Sequence, residues 1–175
     1  MNSTNHPSVK KTPGDSAQSH VGVPLDLFKS GHLLALKPNC HGGIIIQKPF
    51  YADFVGPGAA VGGGFDINCI SVYVIGTVEF YAPATYTQRQ QAFQRRIYYS
   101  ETLQKILGIS SPIHRACAIL KGLSRQLGAN SIKQIPSELL AQLVGVLTKT
   151  VEIARHQHFT DIHPSEKISV GCTRS

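Results

Sequence analysis

Arginine, glutamine and tyrosine are interleaved through TQRQQAFQRRIYY, residues 87–99, and that mixture suits contact with nucleic acid. Arginine and glutamine donate hydrogen bonds to phosphates and base edges, and an exposed tyrosine ring can stack on a base. The positive charge continues beyond this stretch. From Arg89 to Arg125 the basic residues are Arg89, Arg95, Arg96, Lys105, Arg115, Lys121 and Arg125, against one acid, Glu101. With Tyr98, these seven form the predicted nucleic-acid-binding set, for DNA or RNA alike. Short linkage through GISSP would let two successive helices present it, although no row of base-reading Asn, Gln or Ser opens the second helix.

A second stretch, VGPGAAVGGGF at residues 55–65, holds five glycines and has the look of a phosphate loop. The grammar of such loops excludes it. A Walker loop needs Lys and then Ser or Thr after its last glycine, whereas Gly64 and Phe65 stand here. A dinucleotide turn needs G-x-G-x-x-G ahead of a helix, whereas Gly56, Gly58 and Gly62 miss that spacing and a strand-like run follows. What remains is a flexible connection, or an anion nest formed by backbone N–H groups at residues 56–64. Asp53 and Asp66 flank it, and turn chemistry accounts for both.

Metal and catalytic sets are sparse. His156, His158, Asp161 and His163 in HQHFTDIH have the right ligand types, yet a helix C-terminus favours histidine without any metal. His41 beside Cys40, and His114 one turn from Cys117, are no better placed. The chain has no G-x-S-x-G, no H-E-x-x-H and no D-x-D pair. No catalytic residue, metal or cofactor is therefore assigned, and the reading leans away from an enzyme.

Elements able to position the basic residues follow from the hydrophobic pattern. Upstream of Pro83 lie short runs of β-formers, HLLALKP, GGIIIQKPF and ISVYVIGTVEFY; the last alternates Ile70, Val72, Val74, Val78 and Phe80 with polar residues, the mark of a strand with one wet face. Downstream the period becomes helical. One helix is predicted over 87–107, with Phe93, Ile97, Leu103 and Leu107 inward; a second follows Ser111 and Pro112 and stops at Gly128. A third, over 136–156, is apolar nearly all round, which calls for cover on more than one side. The expected fold is α+β: a small antiparallel sheet in the N-terminal half packed against about three C-terminal helices. Residues 21–160 form the domain, 21–84 β-rich and 85–160 helical. Residues 1–20 and 161–175 read as flexible tails, being poor in apolar side chains.

Composition agrees with a single globular domain: 175 residues, 42% hydrophobic, and a formal charge of +7 that favours polyanionic partners. The N-terminus lacks the apolar core of a secretory signal and no run is long enough to span a bilayer, so the sequence predicts a cytoplasmic protein with no membrane partner. Cys40, Cys69, Cys117 and Cys172 form no CxxC pair and read as free thiols. The function expected is a regulatory or binding protein that contacts nucleic acid through the basic helices. Two alternatives stand beside it: homodimerisation or assembly with another protein through the apolar third helix, and a small-ligand domain with a glycine-rich lid.

Overall fold

The structure, a computed structural model, describes residues 25–162. In chain order its elements are α1 (Leu25–Lys29), β1 (Leu33–Leu36), β2 (Gly42–Gln47), β3 (Ala52–Val55), β4 (Ala60–Gly62), β5 (Ser71–Gly76), β6 (Phe80–Tyr81), α2 (Tyr86–Leu107), α3 (Pro112–Leu127), α4 (Ala129–Lys133), α5 (Ser137–Val144) and α6 (Thr148–Ile162). This is the expected α+β arrangement, strands first and helices after. The tails predicted at 1–20 and 161–175 lie outside the described residues, except that α6 continues through 161 and 162.

The strands make two antiparallel sheets rather than one. β1 is central in the first, between β4 and β6, and β2 is central in the second, between β3 and β5. Two stretches serve both sheets. The chain leaves β3, turns through residues 56–59 and enters the first sheet as β4; it leaves β5 after Gly76 and does the same as β6. The long strand expected at ISVYVIGTVEFY is thus cut in two, and Ile70 stands exposed ahead of it.

β2 explains why GGIIIQ reads as an unbroken apolar run. Ile44 and Ile46 face a core shared with Phe28, Leu36, Val55 and Val61, while Ile45 points the other way into a core with Phe54, Leu120 and Val144. A strand covered on both faces has no wet side to alternate toward. The first core fills the space enclosed by the strands, and the second joins the β2–β3 sheet to the helices. A smaller cluster of Ala35, Ala60 and Ala92 seats α2 on the other sheet.

α2 begins at a capping box: the Gln88 N–H donates to Thr85 Oγ1 and the Thr85 N–H to Gln88 Oε1, each at 3.2 Å. Its buried line is Ala92, Arg96, Tyr99, Leu103 and Ile106, of which Tyr99 and Ile106 are only partly buried. That is offset by one residue from the predicted line, which it meets only at Leu103, and it leaves Ile97 and Leu107 exposed. α3 starts at Ser111 and Pro112 and ends at Gly128 as predicted, burying Ala116, Ile119, Leu120 and Leu123.

The predicted third helix is two. Gly145 takes the left-handed conformation (φ 60°, ψ 50°) that ends α5, and α6 sets off on its own course against α3. α5 buries Leu140, Ala141, Leu143 and Val144, and α6 buries Val151, Ala154 and His158. A stretch apolar all round as one helix is therefore two helices with separate inward faces. The apolar surface that suggested a second copy is covered within the chain, apart from exposed Leu147 and Ile153.

Two glycine substitutions should move stability in opposite directions. A Cβ on Gly43 would stand 2.8 Å from the Phe54 ring, so Gly43→Ala should lose about 1–3 kcal/mol to overpacking. In the interior of α3 a Cβ on Gly122 meets nothing within 4 Å, and Gly122→Ala should gain about 0.5–1 kcal/mol. Urea denaturation midpoints read both.

Candidate nucleic-acid interface and the buried ion cluster

The structure divides the predicted basic set into two groups. Arg89, Arg95, Lys105, Lys121 and Arg125 are exposed, and none has a carboxylate partner among the described residues. Tyr98 is half exposed, its ring held edge-on at 5.5 Å by Tyr99, which in turn packs edge-on against Phe54 at 5.6 Å. Lys121 and Arg125 stand at i and i+4 on α3, and so on one side of it.

Arg96 and Arg115 are corrections to that set. Arg115 is half-buried and donates through Nη1 to the Val144 carbonyl at 3.3 Å, closing the C-terminus of α5. Arg155, outside the predicted set, does similar work, donating to the Lys133 and Ile135 carbonyls. Arg96 is buried on the sheet side of α2, because its neighbours at i−4, i+3 and i+7 are Ala92, Tyr99 and Leu103 and the apolar line runs through it.

There it meets the two carboxylates that flank the glycine stretch. Arg96 Nη2 lies 3.2 Å from Asp53 Oδ2 and 3.2 Å from Asp66 Oδ1, and Nη1 donates to the Ala60 carbonyl at 3.4 Å. Lys48, from the β2–β3 hairpin, completes the cluster: Nζ is 3.2 Å from Asp53 and 3.5 Å from Asp66 and donates to the Phe65 carbonyl at 2.9 Å. Two cations and two anions balance, and side-chain exposure runs from 0% at Asp66 to 20% at Asp53. Burial alone would lower the Lys48 pKa, but attraction to Asp53 and Asp66 overrides it and holds the ammonium above its ordinary 10.5.

The glycine stretch belongs to this cluster. Far from being a flexible connection, it is built into the first sheet: Leu33, Leu34 and Ala35 pair with Gly62, Val61 and Ala60. Gly62 has φ +73°, and a Cβ there would stand 2.5 Å from the His32 carbonyl oxygen, so only glycine fits. Its N–H donates to Asp66 Oδ2 at 2.9 Å. The anion suited to these backbone N–H groups is thus supplied from within the chain, four residues on.

The histidine cluster is taken apart. His158 is buried on α6 with Nε2 3.1 Å from Ser124 Oγ, tying α6 to α3, while His156 is exposed and His163 lies outside the described residues. Among the described residues no group of three or more His, Cys, Asp or Glu is placed to hold a metal ion. Cys40, Cys69 and Cys117 are free thiols, and Cys172 lies outside the described residues. No helix of the described residues is long and apolar enough to cross a membrane. No family model matches the chain, and no curated protein matches it.

Adjacent arginines should behave oppositely on truncation. Arg96→Met leaves Lys48 alone against two carboxylates, one net negative charge in a largely buried cluster, and should cost about 3–5 kcal/mol of unfolding free energy, whereas Arg95→Met should cost about 0.5 kcal/mol or less; chemical denaturation of the two variants decides.

Stability should also fall in alkali. Burial raises the Tyr73 and Tyr99 phenols and the Cys69 thiol, and Lys48 is raised by its carboxylates, so the folded chain holds all four protons more tightly than the unfolded chain. The stabilisation is whole below their ordinary values of 9.0 for the thiol, 10.0 for the phenols and 10.5 for the ammonium, and is lost as pH rises through the raised ones. Melting temperature should drop progressively above about pH 9, and a flat profile to pH 11 would contradict the assignment.

Proposed function

We propose that the protein is a non-enzymatic binding protein that engages nucleic acid through Arg89, Arg95, Tyr98 and Lys105 of α2 and Lys121 and Arg125 of α3. One observation carries the reading: five cations on two successive helices are exposed and have no carboxylate partner among the described residues, while buried Asp66 and partly buried Asp53 are committed to Lys48 and Arg96. Unneutralised side-chain cations are what a phosphate backbone replaces its counterions with. Tyr98, propped by Tyr99, offers a ring beside them for a base to stack on. The reading no longer includes Arg96 or Arg115, whose guanidinium groups serve internal partners.

Salt dependence separates this function from docking through apolar surface. Affinity for a single-stranded oligonucleotide, RNA or DNA, should fall steeply between 50 and 200 mM salt, with a logarithmic slope of about −0.7 per phosphate contacted. Paired reversal of Lys121 and Arg125 to Glu, or of Arg89 and Arg95 to Glu, should weaken binding and reduce the slope by about 1.4, two contacts' worth. Binding that ignores salt, or survives both pairs of reversals unchanged, would refute the proposal.

A further inference from the structure

Glu101 is the one acid between Arg89 and Arg125, and it interrupts the positive run beside the ring that the nucleic-acid reading gives to a base. It is exposed and has no ion-pair partner among the described residues, although Lys105 stands at i+4, the spacing and order in which helices pair Glu with Lys. On α6 a comparable bridge does close, Lys149 to Glu152 at 3.3 Å. A carboxylate left open here repels the phosphates that its neighbouring cations attract, so charge pairing gives no reason for it. The residue one turn back supplies one.

Glu101 is at i+3 from Tyr98, a spacing that sets the Cβ atoms about 5–6 Å apart. Side chains on a helix lean toward its N-terminus, which gives the carboxylate the reach to a base lying on that ring. Tyr98 is 51% exposed and is braced edge-on by Tyr99, whose hydroxyl donates to the Pro57 carbonyl at 3.4 Å. Cations stand on both sides of it along α2. Arg95 lays its stem along Gly58, with Cγ 3.5 Å from where a Cβ would stand, and Lys105 follows about 15 Å further on by helical rise. A strand held by these two through its phosphates crosses the ring and brings one base edge to Glu101.

A carboxylate only accepts hydrogen bonds. On the Watson–Crick edge guanine alone sets two donors side by side, N1–H and N2–H, to match its two oxygens. Adenine and cytosine put a ring-nitrogen acceptor beside the amino group, and uracil and thymine flank N3–H with carbonyls, so each would turn a lone pair on the carboxylate. Duplex pairing consumes that edge, and only an unpaired base can offer it.

We infer that Glu101 selects an unpaired guanine stacked on Tyr98, in RNA or DNA, by accepting its N1–H and N2–H. The inference rests on the nucleic-acid reading above and adds a base preference to it.

Uridine decamers with one central guanosine, inosine or adenosine test it, titrated with the full chain and followed by fluorescence anisotropy of an end label. The guanosine strand should bind about tenfold more tightly than the adenosine strand, whose purine stacks as well but lacks the paired donors. Inosine, without the 2-amino group, should fall between them. Thymidine decamers should give the same order, because neither donor belongs to the sugar. Glu101→Gln, an exposed substitution that leaves the fold intact, should bind the adenosine strand at least as tightly as the wild-type chain and lose most of the guanosine preference. Equal wild-type affinity for the guanosine and adenosine strands, or a guanosine preference undiminished in Glu101→Gln, would overturn the inference and leave the nucleic-acid reading standing. Absence of binding to every strand would overturn both.

Discussion

A buried charge must be paired, and in this protein that requirement draws the fold together. Arg96, Lys48, Asp53 and Asp66 come from a helix, a hairpin and the turn after β4. None of the four could be left alone in the interior without a penalty of several kcal/mol. Their mutual neutralisation fixes three things together: the rotation of α2, the seat of the β2–β3 hairpin and the path of the chain through Gly62. The Gly62 N–H bond to Asp66 and the Arg96 bond to the Ala60 carbonyl extend the cluster into the backbone of β4. Side-chain electrostatics and sheet register thereby specify the same arrangement.

The two sheets follow the same logic of shared components. β1 and β2 are each flanked by pieces of two longer stretches that turn the corner between sheets. β2, packed on both faces, couples the space between the sheets to the helical layer, so its three isoleucines belong to two cores. α2 lies against β3 and β4 on either side of one corner. Arg96 projects from α2 toward that corner, where the chain passes from one sheet to the other.

Much of this was legible in the sequence. The α+β order, the helix boundaries at Pro112 and Gly128, and the exposure of Arg89, Arg95 and Lys105 follow from period and capping alone. Arg96 was not, because a pattern that scores charged residues as outward assigns the wrong inner line to α2. The line through Ala92, Tyr99 and Leu103 is equally regular and passes through Arg96, and two flanking aspartates stood ready as its partners. The glycine stretch misled for a related reason. Glycine marks mobility and close packing alike, and only the pairing with β1, separated by some 25 residues of sequence, decides between them. Gly145 carried a readable stop signal, outweighed by the apolar continuity of the leucines and valines on both sides.

Native-state hydrogen exchange tests the central claim most directly, since it reports whether the ion cluster holds the glycine stretch as part of the core. The Gly62 amide, donated to the buried Asp66 carboxylate, should exchange only through global unfolding, with a protection free energy equal to that of the Ile45 amide in β2. Exchange of Gly62 at the rate of an open loop, while Ile45 stays protected, would contradict the account.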